Sequence, residues 1–231
     1  MKTNTVVTPE EWLEARKNLL VKEKEFVRLR DELSQQRRSL PWVRVEKEYE
    51  FKVGNGQQSL SDLFADKSQL MIYHFMFGAD WEEGCPSCSF WADNFEGIDI
   101  HLAHRDITFM AISNTEYGKL EAYKKRMEWT FKWVSSLNSD FNYDFGVSFT
   151  AEEKEKNETF YNFRTQPYFI DELPGVSVFY KDEQGNIFHT YSTYSRGLDM
   201  LNGTYNYIDL SPKGRDEKSG LSWVRRHDQY E

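Results

Sequence analysis

Residues 69–77, QLMIYHFMF, form an almost unbroken apolar run that is too short to span a membrane and too rich in large side chains for an exposed strand. Such a run is a strand covered on both faces, which calls for helices on either side of a largely parallel sheet. Residues 106–113 (DITFMAIS) repeat this character. Between the two runs Phe90, Trp91, Phe95, Ile98 and Leu102 recur at helical spacing, and residues 115–129 supply a second helix with Lys and Glu outside. Strand, helix, strand, helix with short joints predicts right-handed crossovers and a parallel core.

The flanks extend this α/β plan. Val43, Val45, Tyr49, Phe51 and Val53 fall on odd positions between charged residues, as in a strand with one wet face. Gly54-Asn55-Gly56 then turns the chain, and residues 59–64 (SLSDLF) read as a short helical turn. Downstream, GVSVFY at 175–180 and IFHTY at 187–191 surround a Gly-containing turn and predict an antiparallel hairpin. Residues 196–210 predict a last helix, broken or distorted at Gly203. The polar stretch beginning at Phe131 is expected to be an irregular insertion over about residues 131–170.

At the other end, Thr8 can cap a helix, Pro9 suits its first position and Glu11 stands where a capping box places its carboxylate. Trp12, Leu19, Phe26 and Leu33 recur every seven residues, and Pro41 ends the helical run. We therefore expect a helical arm at residues 1–40 and one domain at 41–231. The arm's apolar stripe either packs on its own domain or joins a second copy in a homodimer.

The chain has 231 residues, enough for a core without staples, and 16% of them are aromatic, which excludes general disorder. A net charge of −9 repels phosphate backbones and anionic lipids, so neither nucleic acid nor a membrane surface is an expected partner. No apolar stretch of signal-peptide length opens the sequence, and the two cysteines are too close to staple distant segments. A soluble protein of the reducing cytoplasm is expected.

Those cysteines, Cys85-Pro86-Ser87-Cys88, follow the most apolar strand and open a helix. A sulfur placed there lies near unpaired backbone N–H groups that favour thiolate over thiol. It can attack a disulfide or a peroxide, and a partner one turn on can close an internal disulfide. Cys85 is thus the expected nucleophile and Cys88 the resolving thiol. Asp80, Glu82 and Glu83 stand just upstream and oppose a thiolate if they face it. A buried structural thiol pair is the alternative. A zinc site would need His74, His101, His104 or His189 and has no second CxxC to complete it, so no metal and no cofactor are expected. The late cluster of Tyr191, Tyr194, Tyr205 and Tyr207 with His189 and Arg196 reads as sheet packing, or as the wall of a pocket for a small aromatic or quinone-like ligand. Arg225 and Arg226 read as solvated or salt-bridged.

A strand ending in Phe77, a CxxC opening a helix, a βα unit and a late hairpin before a final helix resemble the thioredoxin fold, and LSDLF resembles its peroxiredoxin branch. More specifically, LPWVRVEKEYEF, YHFMFGADWEEGCPSCSFWADNFEGID, SDFNYDFGVSF, PGVSVF and FHTYSTYSRGLDMLNGTYNYIDLSPKGRDE look like a bacterial thioredoxin-like family of unknown function predicted to be dithiol-disulfide oxidoreductases. The resemblance covers residues 12–230. It implies a central mixed sheet flanked by helices and a redox-active Cys85–Cys88 pair, supported by Trp81, Pro86, Ser87 and Val176. Val176 stands where thioredoxins place a cis-proline, Gly84 stands where they place tryptophan, and the peroxidase threonine is absent before Cys85. Thiol-disulfide exchange is the implied activity, with a non-catalytic binding or dimerisation module and a thiol peroxidase as alternatives.

Overall fold

The computed structural model describes residues 4–54, 56–218 and 220–230, so Asn55 of the expected turn lies outside the described residues. The chain divides after Pro41 into two units. The first is built on helix α1 (Pro9–Arg38). The Thr8 hydroxyl accepts from the Glu11 N–H and the Glu11 carboxylate accepts from the Thr8 N–H, with acidic residues in the first turn and Arg37 and Arg38 in the last. Both charge placements complement the helix dipole. α1 buries none of its residues, and Trp12, Leu19, Phe26 and Leu33 all stay exposed.

The second unit contains strands β1 (Val43–Arg44), β2 (Glu50–Val53), β3 (Gly56–Ser59), β4 (Gln69–His74), β5 (Ile107–Ser113) and β6 (Lys132–Ser135). A small hairpin, β7 (Thr159–Tyr161) with β8 (Arg164–Gln166), stands apart from the main sheet, and β9 (Gly175–Lys181) and β10 (Ile187–Tyr194) complete it. The sheet order is β1-β10-β9-β4-β5-β6-β2-β3. β4, β5 and β6 are parallel, while β9 runs antiparallel to β4 and β10 antiparallel to β9. Helices α2 (Leu60–Leu63), α3 (Pro86–Ala92), α4 (Ile98–Ala103) and α5 (Tyr117–Arg126) fall before and between the parallel strands. This is an α/β fold with a central mixed sheet flanked by helices, as the resemblance implied.

Alternation along β4 explains its apolar run. Leu70 and Ile72 enter one buried cluster with Phe51, Leu63 and Phe179, whereas Tyr73 and Phe75 enter another with Cys88, Phe95 and Trp133. Each such burial stabilises by about 1.5–3 kcal/mol. β5 divides in the same way, Met110 and Ile112 to the first cluster and Phe109 and Ala111 to the second.

Three expectations need correction. The stretch from Phe131 is not wholly irregular: β6 joins the sheet beside β5, and only Trp133 and Val134 in it are large and apolar, too few to show a period. α6 (Phe141–Asp144) and α7 (Ala151–Lys156) follow it. The helical spacing from Phe90 to Leu102 belongs to two helices, parted at Gly97, whose φ of +78° suits glycine. The last helical stretch breaks at Asn202 rather than Gly203. A 3₁₀ segment (Ser195–Leu201) precedes it, and the extended Asn202 caps α8 (Gly203–Asp209) by accepting from the Tyr205 N–H at 2.9 Å. Among the described residues no helix is long and apolar enough to cross a membrane.

Candidate active site

Beyond β4 the chain loops out from Gly78 and returns so that the Cys85 N–H donates to the Met76 carbonyl at 3.0 Å. Cys85 is the N-cap of α3 and Pro86 its first residue, where the missing N–H costs nothing. Ser87 and Cys88 follow in the first turn, where backbone N–H groups have no intrahelical partner and can turn to the Cys85 sulfur. Cys88 is buried beneath, its Sγ accepting from the Met76 N–H at 3.4 Å. Both cysteines are free thiols, 4.1 Å apart.

The two sulfurs occupy opposite electrostatic situations. A hydrogen bond from the Cys88 thiol, then the backbone N–H groups of Cys88 and Ser87 and the Ser87 hydroxyl, lower the Cys85 pKa to about 6 against the opposing effect of burial. Burial first, then interaction with Cys85, pushes the Cys88 thiol well up. The arrangement favours the thiolate at Cys85 and the protonated thiol at Cys88.

Within the acidic loop, Glu83 is neutralised by two arginines. Glu83 pairs with Arg126 and, at 2.9 Å, with Arg226. Lys119 Nζ donates to the carbonyls of Ala79 at 3.2 Å and Trp81 at 3.0 Å, while Glu82 is almost fully exposed. Arg226 also donates to the Gly84 carbonyl at 2.7 Å and to the Tyr123 hydroxyl at 2.8 Å, and that hydroxyl meets Ser89 Oγ at 2.9 Å. Gly84 is itself required by packing. A Cβ there would stand 2.7 Å from the Phe75 ring and 2.8 Å from the Tyr123 ring, both in the core, so the tryptophan of thioredoxins has no room.

Of the expected supporting residues, Pro86 and Ser87 adjoin the sulfurs and Trp81 packs against the cluster that contains Cys88. Val176 lies on β9, paired with Tyr73 on β4, in that same cluster, and the described residues hold no cis peptide. His74 and His189 lie elsewhere. His74 Nε2 meets Ser177 Oγ at 2.9 Å, and His189 Nε2 meets Ser192 Oγ at 2.8 Å. The tyrosine cluster divides: Tyr205 and Arg196 line a cavity that reaches Cys88, Tyr194 and His189 line a different hollow, and Tyr207 is exposed. Tyr73 and Tyr123 were not anticipated, and Arg226, expected only as solvated or salt-bridged, is salt-bridged to Glu83 but also holds the Gly84 carbonyl. Tyr73 could have been found from its place on the central strand, but nothing local marks Arg226.

The sequence pattern of a family described as bacterial protein of unknown function (DUF899) matches residues 1–230. Among curated proteins none matches the chain. Among solved structures, peroxidoxin BcpB from Mycobacterium tuberculosis is similar at 14% identity with a TM-score of 0.44, over 70% of this chain and 94% of that one. PrxQ from Xylella fastidiosa is similar at 11% identity and TM-score 0.42, over 69% and 89%. A Bacteroides vulgatus protein assigned as a thiol-disulfide oxidoreductase is similar at 16% identity and TM-score 0.38, over 68% and 92%.

Proposed function

The chain belongs to the bacterial family of unknown function DUF899, and we propose that it is a thiol-disulfide oxidoreductase in which Cys85 attacks and Cys88 resolves. The observation that carries this reading is the position of Cys85 at the head of α3, with the buried Cys88 thiol 4.1 Å behind it. The Cys85 thiolate attacks one sulfur of a substrate disulfide, the substrate S–S bond breaks, and one thiolate leaves. Cys88 then gives up its proton and attacks the Cys85 sulfur. This closes the Cys85–Cys88 disulfide and expels the second substrate thiolate, which takes up a proton. Two electrons pass from the protein dithiol to the substrate. A cytoplasmic setting, where thiols are kept reduced, suits this direction.

The test is a single turnover. Reduced protein is mixed with bis(2-hydroxyethyl) disulfide, and remaining thiols are counted by alkylation and intact mass. The wild type is expected to convert both thiols to an internal disulfide, while Cys85→Ser leaves the substrate intact. Equal consumption by Cys85→Ser overturns the assignment.

A further inference from the structure

A cavity of about 300 Å³ lies beside Cys88. The cavity is half open to solvent, and its volume falls at the small end of ligand sites. Cys88, Tyr73 and Met76 line it near the sulfurs, with Trp91, Leu198 and Leu221 as further apolar lining. Its charged lining is internally balanced. Arg215 pairs with Asp199 at 3.1 Å and with Asp209 at 2.8 Å, and the largely exposed Arg196 also pairs with Asp199 at 2.8 Å. Glu217 accepts from the hydroxyl of Tyr205 at 2.5 Å and from Trp223 Nε1 at 2.7 Å. With Arg196, Arg215 and Asp199 paired and Glu217 held by two neutral donors, the remaining affinity is for apolar surface and flat rings.

We propose that this cavity binds one aromatic arm of a small uncharged disulfide and so sets the substrate class of the Cys85–Cys88 pair. The inference rests on the oxidoreductase reading. With the ring against Trp91 and Leu198, the proposed pose sets the attached sulfur beside Cys88, the cysteine that stands 4.1 Å from Cys85. Attack by the Cys85 thiolate on that sulfur breaks the substrate S–S bond and releases the outer thiolate, leaving the ring-bearing half joined to Cys85. Cys88 loses its proton and attacks Cys85, forming the internal disulfide and freeing the second thiol from the cavity. A polar aliphatic disulfide gains none of this burial.

Two measurements test the proposal separately from the reading beneath it. The first is calorimetric titration with di(2-pyridyl) sulfide, an unreactive thioether of the same shape. The wild type is expected to bind it, and Leu221→Trp, which fills the cavity, or Leu221→Arg, which charges it, is expected to weaken binding about tenfold, as loss of ring burial implies. No binding by the wild type, or equal binding by both variants, overturns the proposal whatever the activity. The second compares rates with 2,2′-dithiodipyridine and bis(2-hydroxyethyl) disulfide, each divided by its rate with glutathione. The normalised ratio is expected to favour the aromatic substrate in the wild type and to fall about tenfold in the same variants. An unchanged ratio contradicts the substrate class. Binding of the thioether without turnover of either disulfide leaves the cavity standing and removes the oxidoreductase.

Discussion

Arg226 reaches back to Gly84, 142 positions away in the sequence, and its Nη2 donates to the Gly84 carbonyl at 2.7 Å. The same guanidinium holds Glu83 and the Tyr123 hydroxyl, so one side chain from the last turns of the chain fixes the peptide in front of Cys85. It is only 12% exposed, which separates it from an ordinary surface ion pair. Arg226→Ala should therefore destabilise the fold by about 1.5–3 kcal/mol, the usual range for a hydrogen bond to a charged group. Arg226→Lys should recover only part, because an ammonium cannot reach three acceptors as a planar fork does. Denaturant unfolding of the two variants checks this, and a Lys variant as weak as the Ala variant would show that charge plays no part.

The ionisation of Cys85 depends first on its partner. Iodoacetamide labelling of the native protein should show a half-maximal rate near pH 6, with Cys88 unreactive far above it. Cys88→Ser keeps a hydroxyl donor and should leave that midpoint low, whereas Cys88→Ala removes the donor and should raise it. Because the Cys85 pKa falls on folding from its ordinary 9.0, the stabilisation it brings is complete above that value and disappears as pH falls through about 6. A midpoint that ignores the difference between Ser and Ala would place the cause in the backbone N–H groups and the Ser87 hydroxyl.

Glu172 sets a second pH dependence. Ser148 and Asn114 donate to its carboxylate, Asp171 adds like charge, Asn142 lies nearby, and burial raises its pKa from 4.5 to about 7. The folded protein holds a proton that the unfolded chain has released, so this stabilisation is complete below about pH 4.5 and is lost as pH rises through 7. The loss is on the order of 3 kcal/mol. His74 works in the opposite sense. Burial and His189 depress its pKa to about 3, so its contribution is lost as pH falls from 6.5. Glu172→Gln should be more stable than wild type at pH 8 and no more stable at pH 4.5, as thermal melts at the two pH values will show.

The exposed stripe of α1 leads us to propose that two copies pair through it in antiparallel fashion. Glu10, Glu11 and Glu14 mark one end of the helix and Arg37 and Arg38 the other, so antiparallel pairing sets acid against base while parallel pairing sets like against like. Sedimentation should show a dimer that Phe26→Glu dissociates with the second unit still folded. A monomeric wild type at micromolar concentration removes the pairing.

Much of this structure was legible because the signals were local. The two-sided burial of β4, the β9–β10 hairpin and the capping box of α1 each follow from residues within a few positions of one another. The position of Cys85 and Cys88 at the head of a helix was legible for the same reason. What stayed hidden depends on distant partners. Trp133 and Val134 become strand β6 because Ala111 and Ile112 of β5 stand beside them. Glu83 loses its electrostatic force because Arg126 and Arg226 fold onto it, and Gly84 is required because Phe75 and Tyr123 close over it.

The most direct measurement is peptide mapping of Cys88→Ser after incubation with bis(2-hydroxyethyl) disulfide. With the resolving thiol removed, a stable mixed disulfide should accumulate on Cys85, one adduct per chain, while wild type under the same conditions carries none and holds the Cys85–Cys88 disulfide. An unmodified Cys85 in Cys88→Ser, under conditions that fully oxidise the wild type, would contradict the assignment of Cys85 as the attacking sulfur.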